Sequence, residues 1–191
     1  MRRLLVAAAS VAVLVSVGAS GALAGGGQLF REPIDEQELR VETDFCEVEG
    51  LTVQVATHLV GRVHAVPHGP DGLAYFGFNL KVTDVVTNLA NGNSVTSIAT
   101  IRDMDLRVTD NGDGTLTILV LSTGNAVLYG EDGKVIARNP GQVRFEILID
   151  HAGTPTDPSD DTELAFLRVV KESTGRTDDF CVGAVPILLG S

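Results

Sequence analysis

Four histidines, 25 carboxylates and two cysteines are the residues of this 191-residue chain best suited to ligate metal, carry protons or form covalent bonds. Their spacing narrows that chemistry. His58, His64 and His68 lie close enough in sequence to suggest zinc. If residues 58–64 run as one strand, however, the first two stand about 20 Å apart, against ligand bonds of about 2 Å. Only a reversal at Gly61 would bring them together. His68, within Pro67-His68-Gly69-Pro70, reads as a turn residue, and His151 follows the end of a strand. No metal and no cofactor are expected.

The acidic segments are equally plain. Aligning Asp110-Asn111-Gly112-Asp113-Gly114 with a calcium-binding loop puts Thr109 at the first ligand position and Val120 where a bidentate Glu is needed, so the run reads as a hairpin turn. Asp157, Asp160, Asp161 and Glu163 have enough oxygens for a weak extracellular calcium site. The plainer reading is a solvated loop or helix start.

No motif for nucleophilic or metal-assisted hydrolysis follows the N-terminal segment: G-x-S-x-G and H-E-x-x-H are missing, and Gly92-Asn93-Ser94 opens a strand after a turn. Cys46 and Cys181 are flanked by Asp44, Glu47, Asp178 and Asp179, an environment that disfavours a reactive thiolate. A disulfide between them is expected, nominally worth about 4–5 kcal/mol for so long a loop. The chain has no Trp, and Tyr75 and Tyr129 are its tyrosines, which argues against a carbohydrate platform or single-strand stacking. A formal net charge of −11 argues against nucleic-acid binding.

Arg2 and Arg3 precede an uncharged apolar run, Leu4 to Val17, and Ala22-Leu23-Ala24 supplies a signal-peptidase pattern. This predicts a Sec-type signal peptide over residues 1–24, cleaved after Ala24, and a secreted, extracellular protein with no stable membrane insertion afterwards. The mature chain then carries 12 basic and 25 acidic groups, a charge of −13, because the removed segment holds two Arg and no acid.

Positioning elements follow from periodicity. Residues 25–44 are polar and acidic and read as a flexible N-terminal arm; residues 45–191 read as one domain of β-strands, because alternation of period 2 dominates. Strands are expected near 50–60, 74–87, 94–109, 115–122, 125–130, 134–138, 142–150 and 163–171, with a short helix at 158–170 as the alternative for the last. Eight hairpin-linked strands predict an all-β fold, a single antiparallel up-and-down β-barrel of the calycin kind, with a two-sheet β-sandwich as the alternative. In a barrel, alternation turns Phe76, Phe78, Leu80, Met104, Leu106, Phe145 and Ile147 inward, and Tyr75 joins Phe76 and Phe78 as an aromatic group. These eight residues are the candidates for a ligand cavity. No catalytic residue is assigned.

The runs Thr43-Asp44-Phe45-Cys46, Arg138 to Asp150 and Ser173 to Cys181 resemble parts of uncharacterised secreted proteins of high-GC Gram-positive bacteria. The expected architecture is similar to lipocalin-like and allene-oxide-cyclase-like barrels, although the lipocalin G-x-W signature is missing. Neither resemblance implies an activity. The expectation is a secreted, noncatalytic barrel that binds a small apolar or amphipathic ligand or an extracellular partner. The alternatives are a cofactor-free isomerase or cyclase, which requires Asn79, Arg102 or Glu146 to face inward, and a structural, envelope-associated protein. Oligomeric state is not legible.

Overall fold

The computed structural model describes residues 29–190; the expected signal peptide therefore lies outside the described residues. Seven strands follow one another: β1 (Phe30–Glu42), β2 (Val53–His68), β3 (Leu73–Asn88), β4 (Ser94–Asp110), β5 (Thr115–Tyr129), β6 (Val135–Asp150) and β7 (Thr162–Lys171). All pair antiparallel in the order β1 to β7 in one sheet, and a helix, α1 (Phe180–Leu189), ends the chain. The all-β, up-and-down expectation holds. The sheet is not closed by pairing of β1 with β7, so the barrel is not established.

Several expected boundaries are corrected. The segment read as an arm contains β1, paired with β2 over its whole length from Phe30↔Ala65 to Glu42↔Val53. Its charges mark an edge strand, for which water can solvate one side. The strands expected at 115–122 and 125–130 are one, as are those at 134–138 and 142–150, because Gly124 and Gly141 face each other across the ladder without interrupting it. Residues 162–171 form a strand rather than a helix, and the helix lies further on.

One sheet face holds the core. Val53 and Val55 of β2, Val86 of β3, Val95 of β4, Leu128 of β5 and Ala137 of β6 are buried together with Ala184 and Leu188 of α1. The helix thus covers one end of the core face. Its sequence, Phe-Cys-Val-Gly-Ala-Val-Pro-Ile-Leu-Leu, is apolar nearly all round, so tertiary contacts must place it. Gly183 permits the close approach: a Cβ there would stand 2.8 Å from Ile136 Cγ2. The Asp179 carboxylate caps the start by accepting from the N–H groups of Cys181 (2.8 Å) and Val182 (3.2 Å). At the other end the amides of Asn88 and Asn91 donate to the Leu188 carbonyl at 2.8 and 2.9 Å, and that of Asn93 donates to Ile187 at 3.1 Å. The turn between β3 and β4 therefore satisfies carbonyls that a helix end leaves unpaired.

Cys46, in the tight turn after β1, is bonded to Cys181 in the first turn of α1, with Cα atoms 5.6 Å apart. Phe45 and Phe180 pack edge to face beside the bridge. The disulfide joins the segment after the first strand to the segment after the last. Replacing both cysteines by alanine is expected to lower the unfolding free energy by about 2–5 kcal/mol in urea titrations; two free thiols in the intact wild-type protein would contradict the bridge. Gly183→Val is expected to cost about 1–3 kcal/mol, because the helix must lift from Ile136; unchanged stability would show that the approach is not tight.

Candidate functional site

The expected cavity wall separates into different environments. Phe76, Phe78 and Leu80 lie on the core face and pack with Ile34, Leu59 and Val63. Phe145, Ile147 and Tyr75 pack against a second cluster of Val108, Leu116, Ile118, Val120 and Ile149. These six residues contribute to packed apolar clusters. Met104 is corrected to the outer face, since it pairs with Gly77 and Leu121 in the row next to the core-facing Asp103. Leu106 is the additional residue of a β-bulge between Asp105 and Arg107 and is exposed.

That bulge changes the phase of β4. Before it, odd residues from Val95 to Asp105 share the core face; after it, Val108 does. The residues that break the alternation are therefore acids, Asp103 and Asp105, which sequence periodicity alone places outside. The β3–β4 ladder stops at Gly77↔Met104, and side chains continue it. Asp105 Oδ2 accepts from the Phe76 N–H at 2.8 Å, and the Tyr75 hydroxyl accepts from the Val108 N–H at 3.1 Å. Each replaces a carbonyl that the diverging strand no longer offers.

Burial pushes the Asp105 carboxyl up to about 7; the Phe76 N–H opposes the rise, and Asp161 and Asp103 add to it. Asp161, in the loop before β7, is pushed up to about 6 by burial and by Asp160. Asp103 is raised by burial, partly offset by Ser122. Oδ1 of Asp103, Oδ1 of Asp161 and Nδ1 of His151 are buried without a hydrogen-bond partner among the described residues. The loop from His151 to Asp161 reaches the β2–β3 turn, where Thr156 Cγ2 stands 3.9 Å from a Cβ built at Gly72. Chemically, Asp105 is the member of this group that retains its proton toward neutrality, at a cost to stability.

The metal readings find no support from the described residues. They contain no group of three or more His, Cys, Asp or Glu side chains suited to hold an ion. Within the acidic loop, Asp160 accepts from the Thr154 hydroxyl and Asp157 accepts from the Ser159 N–H, so those carboxylates serve as local turn acceptors. His58 and His64 share one face of one strand, and His58 is 2.8 Å from Asp35.

The polar residues that the isomerase alternative needs inside stay outside. Asn79 and Arg102 pair on the outer face, and Glu146 is held there by Arg168 (2.7 Å) and Arg107 (3.1 Å), which keep it ionised at lower pH than an ordinary Glu. Glu146 is 7% exposed under the two arginines and ties β4 and β7 to β6.

A cleft lies on this outer face. It has a volume of about 720 Å³, against about 260 Å³ for a shallow apolar trough on the core face beside Ala99, Ile101, Gly124 and Ala126. Pro33 and Val60 give the cleft an apolar surface, while Arg31, Arg62, His64 and Asn79 give it polar groups. Register explains the convergence. Arg31 stands opposite His64, Pro33 opposite Arg62, Arg62 opposite Asn79, and Asn79 opposite Arg102, so cationic residues of three strands occupy two adjacent rows. Gly61 lets the backbones crowd beneath them, for any Cβ there would strike the Asn79 carbonyl. Gly77 likewise leaves room for the His64 ring. Among the described residues Arg31, Arg62 and Arg102 form no ion pair, and the carboxylate in the cleft, Asp35, is engaged by His58. The sequence shows these arginines, but only the β1–β2 register brings them together.

The Asp105 shift gives a pH prediction. Its folded pKa exceeds the unfolded value, so the folded state binds the extra proton and stability falls as pH rises from about 4 to about 7. Glu146, Asp113, Asp132, Asp157 and Asp178 have lowered values and act with the opposite sign, at lower pH. Asp105→Asn keeps an acceptor for Phe76 without the charge. Relative to wild type it is expected to gain stability across that window, by on the order of 2–4 kcal/mol in total. Parallel pH profiles in urea unfolding would contradict the assignment.

No protein-family model matches the chain, and neither a curated protein nor a solved structure is found to be similar to it.

Proposed function

We propose that the protein is an exported, noncatalytic binding module whose outer-face cleft takes a small amphipathic anion: a carboxylate or sulfonate on an apolar body. The observation that carries this reading is the cleft of about 720 Å³ in which Arg31 and Arg62, without ion-pair partners among the described residues, stand beside Pro33 and Val60. On a chain of net charge −11 such a site selects against its own surface and favours an anion from solution. The apolar surface favours a hydrocarbon body, and Asn79 and His64 add hydrogen-bonding groups. The disulfide fits an oxidising compartment, as does the N-terminal pattern of two arginines, an apolar run and Ala22-Leu23-Ala24. No helix among the described residues is long and apolar enough to cross a membrane.

Isothermal titration with decanoate, and with decanol as its neutral counterpart, tests the reading. Saturable 1:1 binding of decanoate is expected, with decanol weaker. Loss of one charge-assisted contact is worth about 1.5–3 kcal/mol, so Arg62→Gln should weaken decanoate binding about 10- to 100-fold and leave decanol unchanged. Equal binding of acid and alcohol, or an unaltered affinity in the Arg62→Gln variant, would overturn it.

A further inference from the structure

We infer that β7 is a self-association element through which two copies of the chain join about a two-fold axis at Leu167. This inference does not depend on the cleft. The two free edges of the sheet differ. On β1 the sequence carries Pro33 and the acids Glu32, Asp35, Glu36 and Glu38, features that discourage edge pairing. On β7 it reads Thr-Glu-Leu-Ala-Phe-Leu-Arg-Val-Val-Lys, with apolar residues at six of the seven positions from Leu164 to Val170.

The β6–β7 register explains what this edge displays. Phe145 pairs with Val169, Glu146 with Arg168, Ile147 with Phe166, Leu148 with Ala165 and Ile149 with Glu163. Three residues of β7 are skipped: Leu164, Leu167 and Val170. Each is the extra residue of a bulge, faces no β6 residue, and recurs every third position along the free edge. They are 52%, 45% and 46% exposed, and Phe166 beside them is 56% exposed. Three large apolar side chains in a row on one edge form a patch of the kind that marks an interface.

The occupant follows from the order of side chains and charges. Antiparallel apposition of two β7 strands about Leu167 sets Leu167 against itself, Leu164 against Val170, and Glu163 against Lys171 of the second copy. The apolar ridge is palindromic about that point, and its flanking charges become opposite pairs at both ends. An isologous interface requires this self-complementarity. The bulges interrupt a regular backbone ladder, so contact is made by side chains of the ridge, with Glu163 and Lys171 fixing the register.

Sedimentation equilibrium of the purified protein over a concentration series tests the inference. Wild type is expected to show a reversible monomer–dimer equilibrium. Glu163→Lys should weaken it at least about tenfold by placing like charges opposite, and Glu163→Lys combined with Lys171→Glu should restore it. Leu167→Glu should leave a monomer. These residues are exposed, and circular dichroism of each variant should match wild type. A wild-type monomer at every concentration would overturn the inference. So would a dimer that Leu167→Glu leaves intact or that the charge exchange fails to restore.

Discussion

An antiparallel sheet that does not close on itself has two edges and one apolar face to cover, and most features of this molecule answer that constraint. The cover at one end is a ten-residue helix too short to be stable alone. It is anchored by a cap at Asp179, by three asparagine amides on its final carbonyls, by the fit of Gly183 against Ile136, and by the disulfide. Because Cys46 follows β1 and Cys181 lies in α1, the covalent link ties the β1–β2 connection to the helix that covers the core face.

At the opposite end the solution is different. The β3–β4 ladder is released at Gly77, a bulge turns the end of β4, and Tyr75 and Asp105 supply acceptors to backbone groups that lose their partners. The His151–Asp161 loop crosses toward the β2–β3 turn and brings a second buried acid close to the first. This arrangement concentrates acids with raised pKa inside, while Arg31, Arg62 and Arg102 stand outside without ion pairs among the described residues, although the chain as a whole is strongly acidic.

Much of the fold was legible in residue order. Alternation in Val143 to Asp150 and the turn sequences at Asn91-Gly92 and Asn111-Gly112 reported strands and hairpins directly, because period 2 and left-handed turn residues are local properties. The pairing of Cys46 with Cys181 was legible from their number. Three things were not. β1 was hidden by its charges, since an edge strand needs no apolar alternation to pair. The phase of Asp103 and Asp105 was hidden by a bulge whose extra residue, Leu106, resembles its neighbours. The helix was hidden because Phe180 to Leu189 is apolar on every side and lacks a helical period. The outer-face cleft depends on register between β1 and β2, a nonlocal property that no window of sequence contains.

The dependence of the fold on the helix and its bridge is most directly tested by amide hydrogen exchange on the oxidised and reduced protein. The account predicts that reduction accelerates exchange in α1, in the turn around Cys46 and in the adjoining strand ends near Val53, Val95 and Ala137. Amides around Leu116 to Val120 and Ile149, which belong to the separate cluster at the far end, should keep their protection. Equal acceleration throughout the sheet, or no change near α1, would contradict it.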